Sequence, residues 1–441
     1  MKQKMKKLLS GIIVLSMLST LLVGCGNNSK EDKVEGKDEG KEAKVLTLYS
    51  SKDQWNDQCK KAANIIKEKY GIELDVVVMP NEDIEGVLSS KLATNDAPDL
   101  FLANAPQRAE QYNAKENCET LDDEPWVSRL AAPEILKHRE DGHIYAMPVT
   151  SSASFFGGIY YNKKKMKELG YENPQPKTMD EFWAMLKDIK EQGVTPIYTT
   201  DADAWTTQIW TTMGWGVALS DQSDTIYKDL LSNKKKFSDI PEMVEVLKDL
   251  QKLHKEGYSN ENHASQTYDT GISMIAEGKY PMVIQGEFFE DALAKEYPDV
   301  ELGSFAIPFN DKDELAIGAY TVGMWVPKGG NVELAKKFMN YWCSEEVMGE
   351  VYKEFPTASA WSDIDGGDVL PAQKYLIDTY VNNNKYTYEW DSYFDVARPI
   401  MESFLFSGIV QVTMDEEPEK IITEWDKQYE SFMKDKGVDG F

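Results

Sequence analysis

Between residues 45 and 102 the chain reads strand, helix, strand, helix, strand, and no other stretch limits its possible folds so sharply. Val45-Leu46-Thr47-Leu48-Tyr49 is a run of β-favouring residues. A helix is predicted over residues 54–69, where Ala62, Ile65, Ile66 and Tyr70 fall near one stripe before Gly71 stops it. Residues 73–79 form a second strand ended by Pro80. Residues 83–94 form a second helix carrying Ile84, Val87, Leu88 and Leu92, and residues 98–102 a third strand. Strands joined by helices return in the same direction, so this order predicts an α/β fold with a parallel sheet. On such sheets ligands sit beyond the carboxyl ends of the strands. Those ends are Ser50-Ser51-Lys52-Asp53, Pro80-Asn81 and Ala103-Asn104-Ala105.

A pivot follows. Residues 142–162, GHIYAMPVTSSASFFGGIYYN, run from an apolar strand through small residues (Thr150 to Ser154) into an aromatic strand. Two strands joined by small residues can leave one sheet and enter another, which is how a hinge is built. The pattern then restarts. Thr178 and Glu181 have the spacing of a capping box, ahead of Phe182, Met185, Leu186 and Ile189 at helical spacing, and Gly193 ends that helix. A short strand at Pro196-Ile197-Tyr198 leads through a loop at 199–204 to Trp205, Trp210 and Trp215, the last two read as core. A helix is expected over residues 241–255. Residues 268–290 read helix, turn, strand, then a loop at Gln285-Gly286-Glu287. A second strand-like crossing spans 314–326, and a third is expected near 356–371. The predicted organisation is one lobe of residues 45–149 and 320–356, a second of 154–316 and 371–436, and hinges near 149–154, 316–322 and 356–371.

The amino terminus carries address information. Lys2, Lys4, Lys6 and Lys7 precede an apolar run at 8–23, shorter than a membrane span and typical of a signal peptide. It ends in Leu22-Val23-Gly24-Cys25, which resembles a bacterial lipobox and marks residues 1–24 as leader and Cys25 as the lipidated residue. Lipidation tethers a protein without a transmembrane helix. Residues 25–44 are almost devoid of apolar side chains and read as a flexible linker with a reach of roughly 25 Å. Cys59, Cys118 and Cys343 are expected as buried free thiols, because three widely spaced cysteines make no disulfide framework. The formal charge of −27 repels phosphate backbones and excludes nucleic acid as a partner.

Catalytic signatures are absent: the sequence has no GxSxG, HExxH or P-loop motif. His138, His143, His254 and His263 show no metal-ligand spacing, so no metal is expected. Asp363-x-Asp365-Gly366 starts like a calcium loop but has Lys374 where the bidentate Glu belongs, and reads as a solvated turn. Arg398 is read as structural.

Six segments together resemble one family, in its order: Leu92-Ala93-Thr94-Asn95-Asp96-Ala97-Pro98-Asp99-Leu100-Phe101; Tyr145-Ala146-Met147-Pro148 with Tyr160-Tyr161-Asn162-Lys163; Lys177-Thr178-Met179-Asp180-Glu181-Phe182; Glu277-Gly278-Lys279-Tyr280-Pro281-Met282; Gln285-Gly286; and Leu334-Ala335-Lys336-Lys337-Phe338-Met339. The resemblance, over residues 45–436, is to the extracellular solute-binding proteins of ABC importers, in the carbohydrate-binding group that includes maltose-binding protein. Two departures stand out: Glu287 precedes Phe288-Phe289 where the family usually carries Trp, and Pro281 replaces an Ala.

The resemblance implies a periplasmic-binding-protein-like type II fold, with two α/β lobes flanking a cleft. It implies a non-enzymatic, cofactor-free receptor, monomeric and lipid-anchored outside the cytoplasm, that captures an oligosaccharide and presents it to a membrane permease. Sugar rings offer an apolar face to aromatic side chains and a hydroxyl rim to carboxylates and amides. By family position Asp203, Trp205, Glu287 and Phe288 face the cleft from the second lobe, and Ser51, Asp53 and Asn104 from the first. Tyr320, Trp390 and Tyr393 are further candidates. Alternatives within the fold are a peptide, a polyamine or ferric ion, the last on Tyr160-Tyr161; outside it stands a surface glycoside hydrolase.

Overall fold

The computed structural model describes residues 44–151 and 157–441. The proposed leader, Cys25, the linker as far as residue 43, and Ser152 to Ser154 of the small-residue pivot lie outside the described residues. No described helix is long and apolar enough to cross a membrane.

Eleven strands are described: β1 (Lys44–Ser51), β2 (Ile72–Met79), β3 (Leu100–Ala105), β4 (Ala146–Pro148), β5 (Gly158–Asn162), β6 (Ile197–Tyr198), β7 (Met282–Gln285), β8 (Leu302–Phe305), β9 (Leu315–Ile317), β10 (Thr321–Trp325) and β11 (Tyr386–Tyr388). The first sheet has the order β2-β1-β3-β10-β4. β1 pairs in parallel with both β2 and β3, as the opening alternation predicts. β10 returns from far along the chain and inserts antiparallel between β3 and β4. The second sheet has the order β6-β7-β5-β8, with β5 antiparallel to both neighbours. β9 and β11 form a separate parallel pair. The fold is therefore α/β, with one main sheet in each of two lobes.

Local signals explain where helices begin. The first starts at Asp57, three residues later than its apolar stripe suggests, because the Asn56 side chain accepts the Cys59 N–H at 3.1 Å and sets the cap there. Gly71, at φ 67°, closes it in the left-handed region. At Met179–Glu191 the Thr178 hydroxyl accepts the Glu181 N–H at 3.2 Å. The reciprocal bond departs from the capping-box pattern: the Glu181 carboxylate accepts from Lys177 N–H at 2.7 Å, one residue further back.

Each sheet has its own core. Leu46, Leu48, Phe101, Leu102, Met324, Trp325, Phe338 and Trp342 pack together around the first. The second is buried on both faces, and alternation along its strands divides the side chains between them. Ile159, Tyr161, Met282 and Ile284 join the core of Trp210, Trp215 and Trp425, while Tyr160 and Val283 join a core on the opposite face. Trp210 and Trp215 are buried as expected, and their indole N–H groups donate to Val246 O and Met243 O at 2.9 Å. Cys59, Cys118 and Cys343 are buried free thiols. The segment between Tyr352 and Pro371 contains neither helix nor strand; Ser359 and Trp361 bridge to Ser151 and Leu130, and Ala360, Trp361 and Ile364 pack into the first core.

Candidate functional site

The carboxyl ends of β1 and β3 and the turn after β2 converge on a cavity of about 180 Å³. Ser51, Asp53, Asn81, Glu85, Asn104 and Arg108 are among the side chains lining it. Three expected site residues are thus brought together, for the reason a parallel sheet gives: its strand ends open side by side. Asp53 does not cap the first helix, which Asn56 does. Its carboxylate instead accepts from the Asn81 amide. Gln54 Nε2 donates to Asn104 Oδ1 at 3.2 Å, so that wall is a linked set of carboxamides and carboxylates.

The second lobe contributes a cluster of aromatic side chains. Trp205 lies in the first turn of the helix Ala204–Ala218 and is 42% exposed, one of few large apolar side chains left in solvent. Its ring centroid lies 5.2 Å from Tyr268 and 5.9 Å from Phe288. Asp203 precedes that helix without capping it and accepts the Tyr268 N–H at 2.7 Å, tying the loop to the third aromatic. Glu287 sits where the helix Phe288–Glu296 begins, without a side-chain cap bond to it. Burial pushes the Tyr268 hydroxyl well above its ordinary pKa, and the carboxylates of Asp291, Asp269, Glu287 and Asp53 add to the rise. Asp53 is a first-lobe residue, so a carboxylate of one lobe acts on a hydroxyl of the other.

Sequence reasoning missed the groups that join the lobes. Arg108 pairs with Glu85 on its own side and reaches Glu402 Oε1 at 2.8 Å on the other. Arg398 Nε donates to the same Glu402 oxygen at 2.8 Å, and its guanidinium also pairs with Asp391. Gln107 Nε2 donates to Asp391 Oδ2 at 3.4 Å. Arg398 is structural, as read, but in a network that spans both lobes. Burial favours the neutral form of Glu402, yet Arg398 and Arg108 outweigh it and hold the carboxyl at about 2. Glu85 moves the other way, raised by burial beyond what Arg108 restores. Glu389 is raised well above its usual value by burial and by Asp391. At the rim, Lys295 and Asp57 meet across the lobes at 2.9 Å, both exposed. Spacing in sequence offers no sign of the pairs that cross between lobes, which join residues 238 to 294 positions apart.

The remaining candidates divide. Tyr320 is partly buried, and its hydroxyl is raised well above its usual range by burial and by Glu389 and Asp391. Tyr393 stacks on Tyr227 at 3.8 Å, with the Arg139 guanidinium 4.5 Å from its ring. Trp390 is corrected: it is fully buried, 4.9 Å from Trp215 and 4.6 Å from Phe394, and is a core residue rather than part of a wall. Tyr160 and Tyr161 are both buried and, as strand neighbours, enter different cores, so they cannot grip one ion together. The acidic turn is a turn: Asp363 pairs with Arg129 at 2.7 Å, and Asp365 accepts the Gly367 N–H. His254 and His263 meet around Asp201, a meeting that their spacing in sequence does not announce.

Two α/β lobes, one with a polar cavity at its strand ends and the other with an exposed aromatic cluster, form the frame of a solute-binding protein. Residues 61–366 match the bacterial extracellular solute-binding proteins, and the chain belongs to that family. Among relatives, the multiple sugar-binding protein of Streptococcus mutans is 25% identical over 373 residues, covering 81% of this chain and 80% of its own. The melibiose/raffinose/stachyose-binding protein MelE of Bacillus subtilis is 26% identical over 329 residues, covering 71% and 72%. Among solved structures, RafE in complex with raffinose superposes with a TM-score of 0.73 at 19% identity, over 88% of this chain and 99% of that one.

Proposed function

We propose that this chain is the capture subunit of an ABC importer for a sugar, an oligosaccharide by preference. The observation that carries this reading is the pairing of Trp205, Tyr268 and Phe288 with the Ser51, Asp53, Asn104 wall. A pyranose stacks its C–H face on the first and bonds its hydroxyl rim to the second. The names of the relatives agree with that chemistry. The protein works as a non-catalytic monomer, with lobes divided near residues 149–154, 316–322 and 356–371. Solute stabilises the closed arrangement more than the open one, and the closed form engages the permease. Cys25 carries the lipid anchor that keeps the protein on the outer face of the cell membrane.

A thermal-shift screen of the full chain against mono- and oligosaccharides, peptides, polyamines and ferric ion tests this. Sugar at 100 times its dissociation constant adds about 2.7 kcal/mol of stability. A shift with one glycan class, the glycan recovered intact, is the expected result. Shifts with only the other classes overturn the sugar reading and leave the fold; shortened glycan overturns the non-catalytic one. For the anchor, the chain expressed in a bacterium with lipoprotein processing is expected in the detergent phase, and Cys25→Ser in the aqueous phase.

A further inference from the structure

Away from the cleft, three segments of the second lobe meet at Asp201, His254 and His263. Asp201 lies in the loop after β6, His254 in the last turn of the helix Pro241–Lys255, and His263 at the start of a short 3-10 turn. Asp201 Oδ2 is 2.7 Å from His263 Nδ1 and 3.7 Å from His254 Nε2, and the imidazole centroids are 4.3 Å apart. The three side chains are nearly closed to solvent, at 3% exposure for Asp201, 5% for His254 and 13% for His263.

The His254 ring carries the second observation. Its Nδ1 is 2.8 Å from Ser259 Oγ, while Nε2 is buried without a hydrogen-bond partner and faces the carboxylate. A buried nitrogen without a hydrogen-bond partner forfeits its hydration with nothing in return. With Nδ1–H donating to Ser259, the Nε2 lone pair confronts a carboxylate oxygen, acceptor against acceptor. A cation between them resolves that conflict. The surroundings match the outer shell of a metal site, in which each ligand is oriented by a further hydrogen bond. Ser259 holds His254, and the Thr207 hydroxyl donates to the other Asp201 oxygen at 2.9 Å. A cavity of about 20 Å³ borders both Asp201 and His254, enough for one water.

We propose that Asp201, His254 and His263 hold one divalent cation of the Zn²⁺ class, with water as the fourth ligand. Two imidazoles and a carboxylate suit that ion better than calcium or magnesium, which take oxygen ligands. Bonds of about 2.0–2.1 Å in a tetrahedron separate ligand atoms by roughly 3.3 Å. The 2.7 Å contact opens and the 3.7 Å contact closes, each by about half an ångström. The ion joins the loop at 199–203 to the segment at 260–266, which already meet through Asp201 N–H to His263 O and Ala202 N–H to Gln266 O. Asp203 and Trp205 follow directly from that loop, so the metal stiffens the base of the aromatic wall.

The chelator-stripped full chain, dialysed against Zn²⁺ and analysed for metal, is expected to retain one equivalent. Co²⁺ in its place is expected to produce a visible d–d band of tetrahedral strength. His254→Gln and His263→Gln lose both. Ser259→Ala keeps native circular dichroism and binds about 10–100-fold more weakly. His138→Gln is the control: both His138 ring nitrogens already face carboxylates, Glu110 and Asp141, and this variant retains its equivalent. Folded wild-type chain that holds no equivalent and shows no Co²⁺ band overturns the proposal, whether or not the histidine variants fold. An equivalent retained undiminished by His254→Gln and His263→Gln overturns it as well.

Discussion

At the scale of single residues, exposure separates two tryptophans that composition treats alike. Trp205 is 42% exposed at the aromatic wall, and Trp390 has no exposed surface. Trp205→Ala is expected to weaken sugar binding by about 1–2 kcal/mol, roughly five- to thirtyfold in Kd, with the unfolding midpoint nearly unchanged. Trp390→Ala is expected to cost about 3–5 kcal/mol of stability through the cavity it leaves. Calorimetric titration and urea unfolding of the two variants read these outcomes, and exchanged phenotypes would refute the assignment. The exposure of Trp205 was legible because the residue follows a polar loop. Trp390 was not, because a short polar segment around it hides a core built by Trp215, Phe237 and Trp425 from distant parts of the chain.

At the scale of elements, capping and close approach decide position. Removing the Asn56 side chain with Asn56→Ala is expected to cost about 1 kcal/mol, since one helix N–H loses its acceptor. A steeper effect is expected at Gly216, inside the helix Ala204–Ala218. A Cβ there would stand 2.5 Å from Tyr388 O and 3.2 Å from Glu389 Cα. Gly216→Ala pushes that helix off the segment leading to the network and is expected to destabilise by about 1–3 kcal/mol in urea unfolding, despite the better helix propensity of Ala. The opening helices and β1 were readable from periodicity because each buries one stripe or face, and β3 from its short apolar run, which is buried on both faces. The interruption of the first sheet by β10 was not, because register between segments over 200 residues apart is chosen by packing.

At the scale of the whole molecule, the lobes are joined by contacts of unequal worth. Lys295 and Asp57 are exposed, and their pairing contributes at most about 1 kcal/mol. Asp57→Ala is expected to leave sugar affinity within a few-fold. Glu402 lies between Arg108 and Arg398, and Glu402→Gln leaves both guanidinium groups short of a partner charge. That variant is expected to enlarge the radius of gyration in small-angle scattering and to weaken ligand binding more than Asp57→Ala does. The same carboxylate sets an acid limit. Its folded value of about 2 lies below the usual 4.5, so the folded state holds fewer protons and Glu402 adds stability at pH above about 4.5. That contribution is expected to fade as pH drops from 4.5 toward 2, and pH-dependent unfolding of Glu402→Gln should lack this part of the decline.

The sequence by itself determined the α/β class, the parallel opening of the first sheet, the free buried thiols and the strand ends where Ser51, Asp53 and Asn104 gather. Those follow from local periodicity and from the geometry of strand–helix–strand units, which need no knowledge of distant residues. Only the tertiary structure decided that Tyr268 completes the aromatic wall, that Glu402 bridges two arginines from different lobes, and that His254 and His263 share Asp201. Charge pairs and ligand clusters are set by which elements pack together, and side chains far apart along the chain carry no mark of that meeting.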